Sequence, residues 1–248
     1  MKQIQYGATL IVVLIMLILL SVIGTWAIRQ SLMNLKITTH SQAQQLLLQS
    51  SDAVFHRLAQ GKHAETSSNP LSMMGYALQN EGHEVVFCFR HQQADAHFSV
   101  ANSSLLRWNE QGSDVQVDGI AGFCSLDQAA DYASARKAQL TQVSVIVNPP
   151  GASGHALPLS QLSLGTDADS VGQPMQGRTI QVYVTSILPA LTINNTSQDI
   201  KRCLRRPQSP PLTGHAQTLS ACLQQFGVPY NSQVQSYLLD VYQRASES

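Results

Sequence analysis

Gly7-Ala8-Thr9-Leu10-Ile11-Val12-Val13-Leu14-Ile15-Met16-Leu17-Ile18-Leu19-Leu20 opens a run that reaches Ile28 without a charged side chain. Ahead of it stands the short segment Met1-Lys2-Gln3-Ile4-Gln5-Tyr6. At about 1.5 Å of rise per residue, Ala8 to Ile28 makes a helix about 31 Å long, enough to cross a hydrocarbon core of about 30 Å. A secretory signal would carry a shorter apolar core followed by an A-x-A cleavage site, and this run has neither feature. Ser21, Gly24 and Thr25 fit inside a membrane helix, where small residues allow close helix contact, while Trp26 and Arg29 mark an interface. Lys2 on the short side predicts a cytoplasmic N-terminus and a translocated remainder, an asymmetry that Arg29 and Lys36 reduce.

Beyond the apolar run there is no proline or glycine from Arg29 to Gln60. Ala43, Leu47, Val54 and Leu58 fall on one helical stripe, with Leu48 and Phe55 beside it. The helix is therefore expected to continue to Gln60, with Gly61 as its stop. Two helices broken near Gln30 to Asn34 are the alternative. The resulting division is a leader at 1–7, a transmembrane half-helix at 8–28, an amphipathic half-helix at 29–60 and a head domain at 61–248.

The head changes to short β-like runs. Glu84 to Arg90, Ala96 to Val100, Val115 to Ile120 and Gln142 to Asn148 read as strands. Arg178 to Pro189 is the clearest, with Ile180, Val182 and Val184 alternating against Tyr183 and Thr185. Gln233 to Tyr242 reads as a closing strand, with a helix as its rival. Ser125-Leu126-Asp127-Gln128 has capping-box spacing and predicts a helix over Ala129 to Leu140. The fold class that follows is α+β, a long N-terminal helix packed on a mainly antiparallel sheet.

Lys and Arg number 15 and Asp and Glu number 15, so the chain has no net charge and no global field to draw in nucleic acid or anionic lipid. Cys88, Cys124, Cys203 and Cys222 all follow the apolar run, and an even number in an oxidising compartment points to two disulfides. Of the three pairings, Cys88 with Cys124 and Cys203 with Cys222 close short loops without crossing.

Gln5-Tyr6-Gly7-Ala8-Thr9-Leu10-Ile11-Val12-Val13-Leu14, a small leader ending in Gly before a charge-free helix, resembles the N-terminus of type IV prepilins, and of PilX-type minor pilins in particular. The resemblance covers about the first sixty residues and reaches the head only in outline, through the late strand and the cysteine-bounded loop Cys203 to Cys222. It implies a type IV pilin-like fold, cleavage by prepilin peptidase between Gly7 and Ala8, and N-methylation of Ala8. Most pilins carry Phe after the cut and glutamate as the fifth mature residue; here those positions are Ala8 and Val12. A buried carboxylate in lipid is satisfied by the N-terminal ammonium of a neighbouring subunit. Val12 has no such bond to make, which suits a subunit at or near a filament tip. The implied function is to help initiate pilus assembly from the inner membrane, with other minor pilins, the major pilin and the assembly machinery as partners. Val13, Leu14, Leu17, Leu20 and the stripe through Leu47 and Val54 would be the packing residues of stacked helices, in support of twitching motility, adhesion or DNA uptake.

Several fragments mimic active sites. Ser134-Ala135-Arg136-Lys137 has S-x-x-K spacing without its companion motifs, and Gly151-Ala152-Ser153-Gly154-His155 puts His155 where a nucleophile elbow needs glycine. Cys88, His91 and His97 could be drawn as zinc ligands, but a disulfide explains Cys88 better. Asp167-Ala168-Asp169 with Gly172 departs from a calcium loop at Val171 and Arg178. Asn195-Thr196-Ser197 is a sequon of little weight in a pilin-like chain. No catalytic residue, cofactor or metal is expected. Lys201, Arg202, Arg205 and Arg206 form the densest basic cluster, a possible contact for DNA phosphates at a tip, against the plainer reading of a solvated loop. The competing functions are a type II secretion tip pseudopilin and a membrane-anchored periplasmic enzyme or binding protein.

Overall fold

The computed structural model describes residues 8–59, 73–90, 99–134, 136–148, 178–192, 197–210 and 216–239. Helix α1 runs unbroken from Ala8 to Ala59, 52 residues and about 78 Å at helical rise, so the break near Gln30 to Asn34 does not occur. The chain divides into two compact units, Met1–Leu46 and Leu47–Ser248, so the last turns of α1 belong to the head. In the first unit the side chains from Leu10 to Ile37 lie open, with Leu10 at 70% and Leu14 at 51% exposure.

After α1 come α2 (Met73–Gln79), β1 (Glu84–Cys88), β2 (Ser103–Trp108), β3 (Val115–Asp118), β4 (Leu140–Asn148), β5 (Arg178–Ile187), α3 (Ser197–Leu204), α4 (Leu219–Gln225) and β6 (Tyr230–Leu239). The strands form one antiparallel sheet of six in the order β3-β2-β1-β4-β5-β6. Side chains alternate between its faces. Val85 and Phe87 of β1, Val143, Val145 and Val147 of β4, and Ile180, Val182 and Val184 of β5 share one face with Val54 and Phe55 of α1 and with Met73 and Ala77 of α2. Leu47 is also fully buried, so Leu47 and Val54 are used inside the head and are not open for packing against other helices, whereas Leu48 is 41% exposed and belongs to the outer side of the helix.

Between these apolar rows α1 meets the sheet through hydroxyls. Ser50 Oγ and Thr141 Oγ1 lie 2.6 Å apart, Thr141 Oγ1 and Ser186 Oγ 3.0 Å, and Ser51 Oγ and Ser186 Oγ 3.1 Å. Ser51 Oγ also donates to the Leu47 carbonyl at 3.2 Å. All four side chains are buried, and each hydroxyl has a partner, as burial requires.

The opposite face holds a second core at one end. Cys88, Leu140 and Ile187 pack there with Tyr132 and with Ile200, Cys203, Leu204, Leu219, Cys222 and Leu223 of α3 and α4. Disulfides join Cys88 to Cys124 and Cys203 to Cys222, the sequential pairing. On the chain-entropy model each loop closure contributes about 3 to 4 kcal/mol. Cys203 lies in the last turn of α3 and Cys222 inside α4, and of the described residues between them only Leu204 and Leu219 to Ala221 are helical, so the segment is largely the loop that the sequence reading describes. Thr218 caps α4, its Oγ1 accepting from Ala221 N at 3.3 Å.

Two expected elements are corrected. The helix over Ala129 to Leu140 is a single 3-10 turn at Ala129–Asp131 followed by an isolated bridge from Tyr132 to Leu140. Tertiary contacts override propensity there: the buried Asp131 carboxylate accepts from Ser125 N at 2.7 Å, and Ala133 N donates to the Gln139 carbonyl at 2.9 Å. The strand expected at Ala96 to Val100 ends in a 3-10 turn, Val100–Asn102, with 96–98 outside the described residues. Gln233 to Tyr242 is a strand in its described part, β6, and not a helix.

The loop from β3 returns over the second face through Gly122. Its N–H donates to Ser104 Oγ at 2.9 Å, and a Cβ on it would stand 2.1 Å from the Val86 carbonyl oxygen and 2.4 Å from Ser104 N. Both are strand backbone and cannot yield cheaply. Phe123, next in the chain, thereby reaches Val86 and Leu106. Gly122→Ala is expected to destabilise the head by about 1 to 3 kcal/mol or more, as overpacking does, read as a lowered thermal midpoint of the detergent-solubilised chain with both disulfides intact.

Candidate functional site

The residues that could do work fall in two places, the open apolar helix and the second face of the sheet. On the helix, Val12 is 61% exposed and Val13, Leu14, Leu17 and Leu20 are 51 to 62% exposed. Unpartnered apolar side chains in such a row can be satisfied only by lipid or by other helices. Among the described residues this is one helix long and apolar enough to cross a membrane.

On the second face, the turn that follows α3, residues 205–210, is fastened through a buried carboxylate. Glu84, at the start of β1, is 3% exposed, and both its oxygens accept from Gln208 N at 2.9 Å. Ser209 adds its N–H and its hydroxyl to Oε2, each at 3.3 Å. Gln208 continues the network. Its Nε2 donates to Thr185 Oγ1 at 2.9 Å and to Ser232 Oγ, and its Oε1 accepts from Ser220 Oγ at 3.1 Å. Trp108 Nε1 donates to the Ser209 carbonyl at 3.1 Å and Gln142 Nε2 to the Leu204 carbonyl at 2.8 Å. Glu84, Gln142, Thr185 and Ser232 come from four strands, so the turn is tied across most of the sheet.

A third fastening lies beside Cys88. Arg90 Nε donates to Asp131 Oδ1 at 2.6 Å, with Asp131 fully buried. Breaking one partner of a buried pair leaves an uncompensated charge, so this pair holds the β1 end and the Cys124 loop together.

The basic cluster is drawn apart. Lys201 Nζ donates to Asp127 Oδ2 at 2.5 Å, Arg202 pairs with Asp199 at 2.8 Å and lies 5.3 Å over the Phe226 ring, and Arg206 donates to the Gln217 carbonyl at 3.2 Å. Arg205 alone is exposed with no described partner. Among the described residues the cluster therefore holds one cation without a partner, and the other three are each engaged locally.

Ser134 and Lys137 are not one helical turn apart on a helix: Lys137 has φ of 49° and its N–H closes a turn onto Ser134 O at 3.0 Å. His91 and His97, the Gly151 to His155 fragment, the Asp167 to Gly172 fragment, Asn195 and Thr196 lie outside the described residues, as does Gly7. Ala8 is the first helical residue described. Among the described residues no group of three or more His, Cys, Asp or Glu comes together as a metal site. The Glu84 node had no sequence signal beyond an isolated acid opening an apolar strand, and Gln208 had none.

A long apolar helix, a six-stranded antiparallel sheet and a disulfide-bounded C-terminal segment define a pilin-like α+β protein. Residues 7–55 match the PilX N-terminal family model, which makes the helix one of PilX type and supports a minor pilin of the type IV pilus, a structural protein that associates with other pilus components. Comparison with curated proteins and with solved structures returned no match.

Burial raises the Glu84 pKa above its ordinary 4.5, against the opposing bonds from Gln208, Ser144 and Ser209. The folded head then keeps this proton to higher pH than the unfolded chain. The contribution is complete below pH 4.5 and is lost as pH rises through the folded-state pKa. Glu84→Gln, which stays neutral, is expected to flatten this fall. Urea unfolding of the full chain from pH 4.5 upward checks it, and an unchanged slope would remove Glu84 from the account.

Proposed function

We propose that this chain is a minor pilin that helps to initiate a type IV pilus and sits at or near the filament tip. The match of residues 7–55 to the PilX N-terminal family carries the reading, because it falls on the helix whose apolar side chains have no partner in their own unit. In this reading prepilin peptidase cuts between Gly7 and Ala8 and methylates Ala8. The short N-terminal side lies in the cytoplasm and the head lies in the periplasm, where disulfides form and persist. Other minor pilins and the major pilin then pack against the helix, and motility, adhesion or DNA uptake follows from the pilus so started.

Val12 supports placement at the tip. A subunit with glutamate there must find an ammonium in the subunit next to it, or keep an unpaired carboxylate in an apolar medium. Valine frees this chain from docking beneath another. Against a type II secretion tip subunit stands the shape of the head: among the described residues after α1, no helix exceeds the eight residues of α3.

Intact-mass and N-terminal peptide analysis tests the export pathway. A mature chain beginning at methylated Ala8 is expected in cells with prepilin peptidase and an unprocessed chain in cells without it; unprocessed chain in both would leave a plain membrane anchor. Val12→Glu tests the tip. It is expected to lower pilus number and tip incorporation, counted by electron microscopy with an antibody to the head, and unchanged values would remove the argument from this position.

A further inference from the structure

Of the aspartates in the chain only Asp118 is followed by glycine, and no asparagine is. Glycine in that place removes the Cβ that otherwise crowds the approach of the next backbone nitrogen to the side-chain carboxyl. Asp118 closes β3, the four-residue strand at one edge of the sheet. Its side chain is 70% exposed and meets Arg107 Nη2 only at 4.0 Å, a surface pair of the kind that holds a side chain weakly. Gly119 is exposed too, and its φ of +75° takes the chain out of the strand at this peptide.

The ladder turns the nitrogen of Gly119 away from its neighbour. Asn109 N donates to the Asp114 carbonyl at 3.0 Å, so in the antiparallel pair of β2 and β3 the hydrogen-bonded positions are 109 with 114, 107 with 116 and 105 with 118. Asp118 therefore directs its own N–H and C=O to Leu105, and the N–H of Gly119 stands on the outer side of the strand. The peptide between the two residues is held by the last rung of the ladder alone. Asp114, on the same hairpin, is the contrast. It is exposed as well, but the β-branched Val115 follows it, and its Oδ1 accepts from Val115 N at 2.8 Å.

We propose that Asp118–Gly119 is a modification site, where the chain isomerises spontaneously to isoaspartate. Gly119 N attacks Asp118 Cγ; the new C–N bond replaces the bond to the carboxyl hydroxyl, which leaves as water with the amide proton. Water then opens the succinimide ring, and opening at the main-chain carbonyl leaves Gly119 joined to residue 118 through Cγ. One water leaves and one enters, so mass and oxidation state are unchanged. The main chain is then longer by one atom between the last rung of β3 and Gly122. The far end of that segment is fixed, because Gly122 N–H is tied to Ser104 Oγ at 2.9 Å and a Cβ there would stand 2.1 Å from the Val86 carbonyl oxygen. The added length loosens the seat of Phe123 against Val86 and Leu106. None of this depends on the minor-pilin reading above.

The test keeps the full-length, detergent-solubilised chain with both disulfides intact at neutral pH and growth temperature for weeks. Its peptides are then mapped by electron-transfer fragmentation, which separates isoaspartate from aspartate at equal mass. The expected result is isoaspartate that accumulates at position 118 and not at Asp114, with a thermal midpoint that falls as the isomerised fraction grows. Asp118→Glu keeps the charge on an exposed side chain whose greater length closes the ring far less readily. It is expected to fold as the parent does and to stop both changes. Aspartate retained at 118 overturns the inference, and so does isoaspartate at 114 to the same extent, which would be unselective damage. Isoaspartate at 118 with an unchanged midpoint, or a midpoint that falls equally in Asp118→Glu, overturns the consequence drawn for Phe123.

Discussion

The sheet is buried on both faces at β1, β4 and β5, and this single constraint organises the head. Val85 and Val86, neighbours on β1, are both fully buried although their side chains point in opposite directions. A strand covered on both sides needs two layers, and the chain supplies two of unlike kind. One is the inner end of α1, continuous with the apolar helix. The other is the helix pair α3 and α4 with the loop that carries Cys124, short pieces that could not hold a surface by helix stability alone, since helices of seven or eight residues are marginal in isolation.

The two layers are held differently because they differ in length. α1 presents a row of side chains in register with the strands, so apolar rows with four hydroxyls between them suffice. The helix pair is stapled by Cys203–Cys222 and tied to the sheet by Glu84 and Gln142, residues on the face where the strands alternate to polar. Burying the Glu84 carboxylate opposes folding unless it is fully hydrogen-bonded, and two backbone N–H groups and hydroxyls supply that here. The second layer thus rests in part on one buried acid, beside Gln142, Trp108 and the Arg90–Asp131 pair.

This contrast explains what could be read from the sequence. α1, β4 and β5 announce themselves through long, uninterrupted periods: fifty-two helical residues without proline, then Val143, Val145 and Val147, then Ile180, Val182 and Val184. β2 was illegible because Leu105 and Leu106 are both buried, one on each face, so the strand has no alternation to see. α2 spans only seven residues with Gly75 inside it. The helix expected from Ala129 failed for the opposite reason: its local propensity was good, but Asp131 is used in the interior by Arg90 and Ser125, partners 41 and 6 positions away. Pairing of the cysteines followed from chain order, whereas the Glu84 cradle depends on a residue 124 positions distant and left no local trace.

The outer half of α1 poses a separate problem of energy. Burying one Leu, Ile or Val side chain is worth about 1.5 to 3 kcal/mol, so a row of such residues left in water would be a heavy penalty. Lipid removes the penalty, and so does a bundle of similar helices. Because lipid tails are as apolar as leucine, exchange between these two surroundings involves almost no hydrophobic free energy, and association is decided by packing, small residues and any polar group left over. Ser21, Gly24 and Thr25 provide the small residues, and Thr25 satisfies its own hydroxyl by donating to the Val22 carbonyl at 2.9 Å. With Val12 uncharged, the described part of the apolar run brings no charged side chain to the exchange. For a helix of this composition the choice between lipid and a bundle of similar helices therefore rests on packing differences, and the sign of that small difference is set by the neighbours it meets.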